Sequence, residues 1–350
     1  MIKTSVVSIS SSDTDFKEKI QKAADVIKSG GLVVFPTETV YGLGADATNS
    51  EAAEAIFKAK GRPSDNPLII HIAKPEDAEK YTVTCKLYYK LAAAFMPGPL
   101  TVIMEAQDTV PKSTRASLPT VAVRCPENEI ARSLIEEAGV PIAAPSANLS
   151  GTPSATSAKH VIDDMLGRVD MIIDGGECEF GLESTIVKIE NSGELTLLRP
   201  GKITVEQLEK VAGTVKIANA VIDKLGEGEV ALSPGMKYRH YAPEAPLELI
   251  DGDAVSTAEY IKTESLSRIA VIAYDDDAEY LSNILPHARI YRFGKRDDEQ
   301  LQARLLFSLL RELDKEKFEK IYAPLPKKSG VGLALYNRMI RAAAHKIVKL

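Results

Sequence analysis

At roughly 150 residues per domain, the 350 residues correspond to about two domains. With 45% hydrophobic and 26% charged residues and no tryptophan, the composition excludes a disordered chain, a collagen-like repeat and a small disulfide-stapled scaffold. The formal charge of −6 argues against a protein that grips long nucleic acid by its phosphates, which needs a basic face. The charge is unevenly spread, however. Residues 287–350 carry 15 basic and 7 acidic residues, net +8, which leaves −14 for residues 1–286. Cys85, Cys125 and Cys178 lie far apart with no Cys-x-x-Cys pair, so neither a disulfide framework nor a zinc cluster is expected. No apolar run reaches the ~18 residues of a bilayer span, and the first residues lack the apolar core of a signal peptide. A cytoplasmic protein with no membrane partner is expected.

In chain order, Phe16, Ile20, Ala23 or Ala24, and Ile27 share one face of a helix over 13–29, which Gly30-Gly31 stops. A buried strand follows at Leu32–Pro36. Helices are then expected near 50–59, 85–95 and 127–138, with strands at Leu68–Ile72, Leu100–Met104, Val121–Arg124, Pro141–Ala144, Met171–Asp174, Ser184–Ile189 and Leu195–Arg199. This alternation without strict βαβ regularity predicts an α/β fold with a mixed twisted sheet and flanking helices over 1–212. Between about 213 and 246 the pattern breaks, and Ser233-Pro-Gly-Met-Lys-Tyr-Arg-His-Tyr-Ala-Pro243 has neither helical nor strand period. Beyond it, strands at Leu247–Ile250, Ile269–Tyr274, Ala288–Phe293 and Lys320–Ala323 alternate with helices near 255–264, 298–315 and 332–347. That pattern predicts a smaller, doubly wound, Rossmann-like α/β domain over 247–350.

Four stretches carry the chemistry. Phe35-Pro-Thr-Glu-Thr-Val-Tyr-Gly-Leu-Gly-Ala45 follows a strand, so its hydroxyls and backbone N–H groups fall where open α/β sheets bind ligands; equally, Gly42 and Gly44 suit ordinary turns. Lys58-Ala-Lys-Gly-Arg-Pro-Ser-Asp-Asn-Pro67 is a cationic arm fit for polyphosphate or carboxylates, or else a solvated helix end complementing the macrodipole. His71 lies on an apolar strand, where a core histidine is the plainer expectation. Ala143–Pro153 offers Ser146, Asn148, Ser150 and Thr152 beside small residues that admit a ligand to the backbone. Arg124 and Arg199 end strands, positions that suit a carboxylate or phosphate as well as a structural ion pair. There is no G-x-x-x-x-G-K-[ST], no H-E-x-x-H and no G-x-S-x-G. A cation pocket without a protein nucleophile points to phosphoryl or nucleotidyl transfer, where catalysis is mostly positioning and charge neutralisation.

Pro36-Thr-Glu-Thr-Val-Tyr-Gly-Leu43, Lys60-Gly-Arg62-Pro, Pro97-Gly-Pro-Leu-Thr101, Pro145-Ser-Ala-Asn148 with Ser150-Gly151, Ser184-Thr-Ile186 and Arg199-Pro-Gly201 together resemble the YrdC/Sua5 family. The segment 233–243 and the domain after it resemble the linker and extra domain of the longer Sua5 form. The resemblance implies threonylcarbamoyl-AMP synthesis, a nucleotidyltransferase reaction in which L-threonine, bicarbonate and ATP give the adenylate, pyrophosphate and water. Mg²⁺ is expected to ride on the ATP phosphates, with no metal site of the protein's own. It further implies that a separate transferase passes the threonylcarbamoyl group to adenosine 37 of tRNA, with little tRNA contact by this chain. By matching positions, Thr39, His71, Arg124, Ala144 and Ser184 belong to the threonine site. Arg62, Asn66, Thr120, Ser146, Ser154, Arg199 and Tyr238 belong to the ATP site, with Lys60 and Arg62 as the catalytic cations and 213–246 as a lid. Two alternatives stand beside this: the related carbamoyl-adenylate chemistry of hydrogenase maturation, whose extra segments are missing here, and an RNA-binding or ribosome-associated factor, disfavoured by the acidic balance of 1–286.

Overall fold

A computed structural model describes residues 2–64, 66–223 and 241–350. The described residues divide into two units. The second holds Tyr241 onward together with the short stretches Gly151–Pro153 and Phe180–Leu182, and the first holds the remainder. In the first unit the strands are β1 (Ser5–Ser8), β2 (Val33–Phe35), β3 (Gly42–Asp46), β4 (Ile69–His71), β5 (Leu100–Glu105), β6 (Thr120–Arg124), β7 (Ile142–Ala143), β8 (Met171–Asp174), β9 (Thr185–Ile189), β10 (Leu195–Arg199) and β11 (Val215–Ile217). They form one mixed sheet in the order β1-β8-β2-β3-β7-β4-β6-β5-β9-β10-β11. The central strands are short and buried on both faces, which is why they read as apolar runs. Helices Phe16–Lys28 and Glu129–Ala138 close one face through Ile20, Ala24, Ile27, Ile130 and Leu134 against Val33, Phe35, Ile142 and Ile173. Burial of each of the larger of these side chains contributes roughly 1.5–3 kcal/mol.

Most expected elements are present within a residue or two; the loop after β2 is not as expected. Gly42 and Gly44 are strand residues, and β3 pairs antiparallel with β2, Val34 opposite Leu43. A Cβ on Gly44 would lie 2.7 Å from Phe35 Cε1 and 2.8 Å from Ile142 Cγ2. These glycines therefore serve close packing, not a turn. The hydroxyl loop shrinks to 36–41. At the other edge, β11 runs parallel to β10, so the sheet continues past residue 212, the expected end of the domain. Residues 224–240 of the expected lid, Tyr238 among them, lie outside the described residues.

The second unit carries β12 (Leu247–Asp251), β13 (Ile269–Ala273), β14 (Ala288–Arg292), β15 (Lys320–Pro324) and β16 (Ile347–Lys349), all parallel, in the order β14-β13-β15-β12-β16. Ile261, Leu281 and Leu285 from its helices pack against Ile269, Val271 and Tyr322. Two features correct the expectation. Asp275–Ile284 is a helix whose three leading aspartates, loop-like in sequence, suit the positive end of the helix dipole. The last helix, Gly332–Ala342, stops early because Ala344 and His345 turn left-handed (φ 50° and 66°) and lead into β16. Among the described residues no helix is long and apolar enough to cross a membrane.

Candidate active site

The candidate residues lie in the turn after β2, at the ends of the parallel strands β4 and β6, and in the loop after β7, which runs antiparallel to β4. After β2, Pro36 releases the chain into a turn that Thr37 organises. Its hydroxyl donates to the Val40 carbonyl at 2.6 Å and accepts from the backbone N–H groups of Thr39 and Val40. With that proton committed, the 2.8 Å contact between the two threonine hydroxyls must be Thr39 donating to Thr37. Tyr41 anchors the far side of the turn, its hydroxyl donating to the Gly176 carbonyl at 2.6 Å and accepting from Gly175 N–H. Thr39 is wholly buried.

His71 and Arg124 are register partners at the ends of the parallel strands β4 and β6, so the topology alone sets them side by side. Both are almost fully buried, as is Glu38, whose Oε1 accepts from Arg124 at 2.6 Å. Burial, and then the Arg124 charge, push the His71 imidazole down to about 3, so it is neutral near pH 7. Three polar atoms of this cluster have no hydrogen-bond partner among the described residues: Glu38 Oε2, Arg124 Nε and His71 Nδ1. Buried polar atoms are rarely left so, and a cluster of them marks a place for a ligand.

The Ala144–Asn148 loop lies alongside β3 through backbone bonds from Leu43 to Pro145 and Ala147 to Tyr41, and is tied to β4 by Ala144 to Ile69. Lys60, the last residue of helix Ser50–Lys60, reaches this loop. Its Nζ donates to the carbonyls of Ser146 at 2.5 Å and Asn148 at 2.7 Å. The helix ends there because Gly61 adopts the left-handed conformation, φ 62°, with an open position for a side chain. Lys60 is therefore a buried cation pinned to the loop, and its charge sits beneath Ser146. Arg62 is half-buried and donates to the Asn66 carbonyl at 3.5 Å, while both amide atoms of the buried Asn66 side chain lack partners among the described residues.

Ser184 precedes β9 and joins two sets of residues. Its hydroxyl contacts Thr101 at 2.8 Å, and Arg199 donates to both its carbonyl and its hydroxyl at 3.0 and 3.1 Å. Ser154 donates to Glu183 at 2.5 Å. The fold thus sets His71 beside Arg124, which holds Glu38, pins Lys60 to the Ser146 loop, and joins Ser184 with Arg199; Thr39 is tied to Thr37 in the turn that carries Glu38, and Ala144 bonds to Ile69 at the start of β4. Thr120 stands apart. It begins β6, four residues from Arg124, which is roughly 13 Å along an extended strand. Residues missed in the sequence are Glu38, Thr37, Thr101 and Glu183. Glu38 sits inside the quoted motif, and a buried strand arginine demands an acid; that demand was the available signal. No group of three or more His, Cys, Asp or Glu side chains able to hold a metal occurs among the described residues.

Residues 25–201 match the family model described as telomere recombination, Sua5/YciO/YrdC, and residues 203–344 match the threonylcarbamoyl-AMP synthase C-terminal domain. The chain belongs to the Sua5/YciO/YrdC family. Among curated relatives it is 42% identical to the threonylcarbamoyl-AMP synthase of Pyrococcus abyssi, covering 95% of this chain and 96% of that one. It is 40% identical to the Bacillus subtilis enzyme of the same name, over 95% and 94%. The solved structure of P. abyssi Sua5 complexed with L-threonine resembles it with a TM-score of 0.85 at 41% identity, over 100% of this chain and 99% of that one.

Proposed function

We propose that the chain condenses L-threonine, bicarbonate and ATP into threonylcarbamoyl-AMP, pyrophosphate and water. The observation that carries this is near-full-length similarity to synthases of that name, joined to a buried Glu38–Arg124–His71 cluster whose unpaired atoms complement a small zwitterion. The threonine amine takes up bicarbonate-derived carbon as a carbamate, whose oxygen attacks the α-phosphate while pyrophosphate leaves. Arg124 pairs with the threonine carboxylate, and Thr39, His71, Ala144 and Ser184 surround the rest of the amino acid. Arg62, Asn66, Ser146, Ser154, Arg199 and, at greater distance, Thr120 receive ATP, with Tyr238 assigned to the same site. Lys60 and Arg62 supply positive charge near the reacting phosphate.

Of the carboxylates near the site, Glu38 has one oxygen on Arg124 and Glu183 accepts from Ser154, a donor set that does not fit a chelating cage. Mg²⁺ enters with ATP, held by the phosphates. The product then goes to a separate transferase that modifies tRNA. A reducing, cytoplasmic setting suits the three free thiols, of which Cys125 and Cys178 are pushed up to about 12 by burial and so stay unreactive. The test is pyrophosphate release by purified protein given ATP and bicarbonate, with and without L-threonine. Threonine-dependent release supports the synthase; release indifferent to threonine refutes it.

A further inference from the structure

We propose that Glu38, through its unpaired Oε2, accepts a hydrogen bond from the α-amino group of the substrate and so makes the site select an amino acid over a simple carboxylic acid. The inference rests on threonine being the substrate. Glu38 is a buried carboxylate with one oxygen on Arg124 at 2.6 Å and the other without a donor. An ionised carboxylate offers about four acceptor positions, and a buried one is costly to leave empty. Arg124 is in the mirror situation, with NH2 on Glu38 and Nε unpaired.

The pair therefore presents one unfilled acceptor and one unfilled donor, of opposite charge, on two groups already in contact. A zwitterionic α-amino acid is the matching object, since its ammonium and carboxylate sit on one carbon. Charge makes the same choice. Glu38 and Arg124 are neutral together, so a carboxylate arriving alone leaves a buried net negative charge, whereas a zwitterion adds none. The contact survives the chemistry, because the nitrogen keeps one hydrogen after it becomes a carbamate. The third unpaired atom, His71 Nδ1, faces the competing claim on the amine, and the test separates the two.

The experiment is calorimetric titration of the full chain with L-threonine and with (R)-3-hydroxybutanoate, which is threonine without its amino group. Wild type is expected to bind threonine at least about tenfold more tightly than the hydroxy acid, as for loss of a charged hydrogen bond. Glu38→Gln, which keeps an oxygen for Arg124 but sets an amide donor against the amine, is expected to lose that preference. If Glu38→Gln does not fold, Glu38→Asp carries the same test, since it keeps the charge and withdraws the carboxylate by one methylene. Threonine preference kept in a folded variant overturns the proposal, and if His71→Asn then loses it, the amine belongs to His71. Wild type that binds neither ligand overturns the threonine assignment itself, and this inference with it.

Discussion

At the scale of single residues, the site is built from charges withdrawn from water and held by fixed partners. Lys60 shows what that means for mutagenesis. Its ammonium satisfies two backbone carbonyls of the loop that carries Ser146, so Lys60→Ala removes a cation and also orphans those acceptors. Threonine-dependent pyrophosphate release is expected to fall at least about a hundredfold, the scale of losing one preorganised electrostatic donor, and stability to drop by about 1–3 kcal/mol. Steady-state assay with chemical denaturation checks both, and a variant with wild-type turnover removes Lys60 from the mechanism. His71 gives a prediction in pH. Its folded value near 3 lies below the unfolded value near 6.5, so between the two the unfolded chain holds a proton that the folded chain lacks. Stability is full above the unfolded value and declines as pH falls through this window, by about 1.4 kcal/mol per pH unit for one proton. Unfolding free energies measured between about pH 6 and about pH 4.5 should show a slope shallower by up to that amount in His71→Asn; equal slopes refute a buried neutral imidazole.

At the scale of elements, the β2–β3 hairpin is the part on which site geometry depends most. It carries Thr37, Glu38 and Thr39 across a six-residue turn between strands that pack Phe35 directly onto two glycines. Gly44→Ala forces a methyl into Phe35 and Ile142, and overpacking of that kind costs about 1–3 kcal/mol. The variant is expected to lose that stability in urea unfolding and to bind threonine more weakly, because the turn moves with the strand; unchanged stability and affinity would show that Phe35 yields without disturbing it. The same glycines explain what sequence could and could not reveal. Strands such as Leu100–Glu105 and Ile269–Ala273 are legible because a short, predominantly apolar run of that length has few other homes. Gly42–Asp46 is not, since its strand character comes from Phe35 and Ile142 pressing on it. Helix Asp275–Ile284 is hidden for a different reason: its first turn is three aspartates and it buries only Ala278 and Leu281. The site follows the same division. Arg124 and His71 stand out as polar residues on apolar strands, but their adjacency is a matter of β4–β6 register. The Glu38–Arg124 pair spans 86 residues, which no local pattern reports.

At the scale of the whole molecule, the basic stretch 287–350 acquires a plain electrostatic explanation. Residues 241–286 contain ten acidic and two basic residues, so from 241 to 350 the chain holds seventeen of each and is neutral. The fold brings many of them into contact. Arg289 pairs with Glu316, Arg296 with Asp277 at 2.6 Å, Arg292 with Asp275 at 3.8 Å, and Lys320 with Glu248 and Glu264 at 3.0 Å. The arginine pairs, at the surface, add little stability, but all of these pairs cancel one another's field. The remainder, 1–240, bears the full −6. Neither portion therefore has the excess of cations that phosphate-driven binding requires, and a synthase that releases a small activated product has no need of it. Full-length protein is accordingly expected not to retard tRNA in a gel at about 150 mM salt, and pyrophosphate release is expected to proceed without RNA and to be unmoved by adding it. Tight tRNA binding that weakens steeply with salt, with a slope equivalent to several phosphates, would mean that the fold concentrates its cations on one face despite the neutral sum. Loss of that binding on substituting Arg289, Arg292 and Arg296 together would then place the face on β14 and the loop after it.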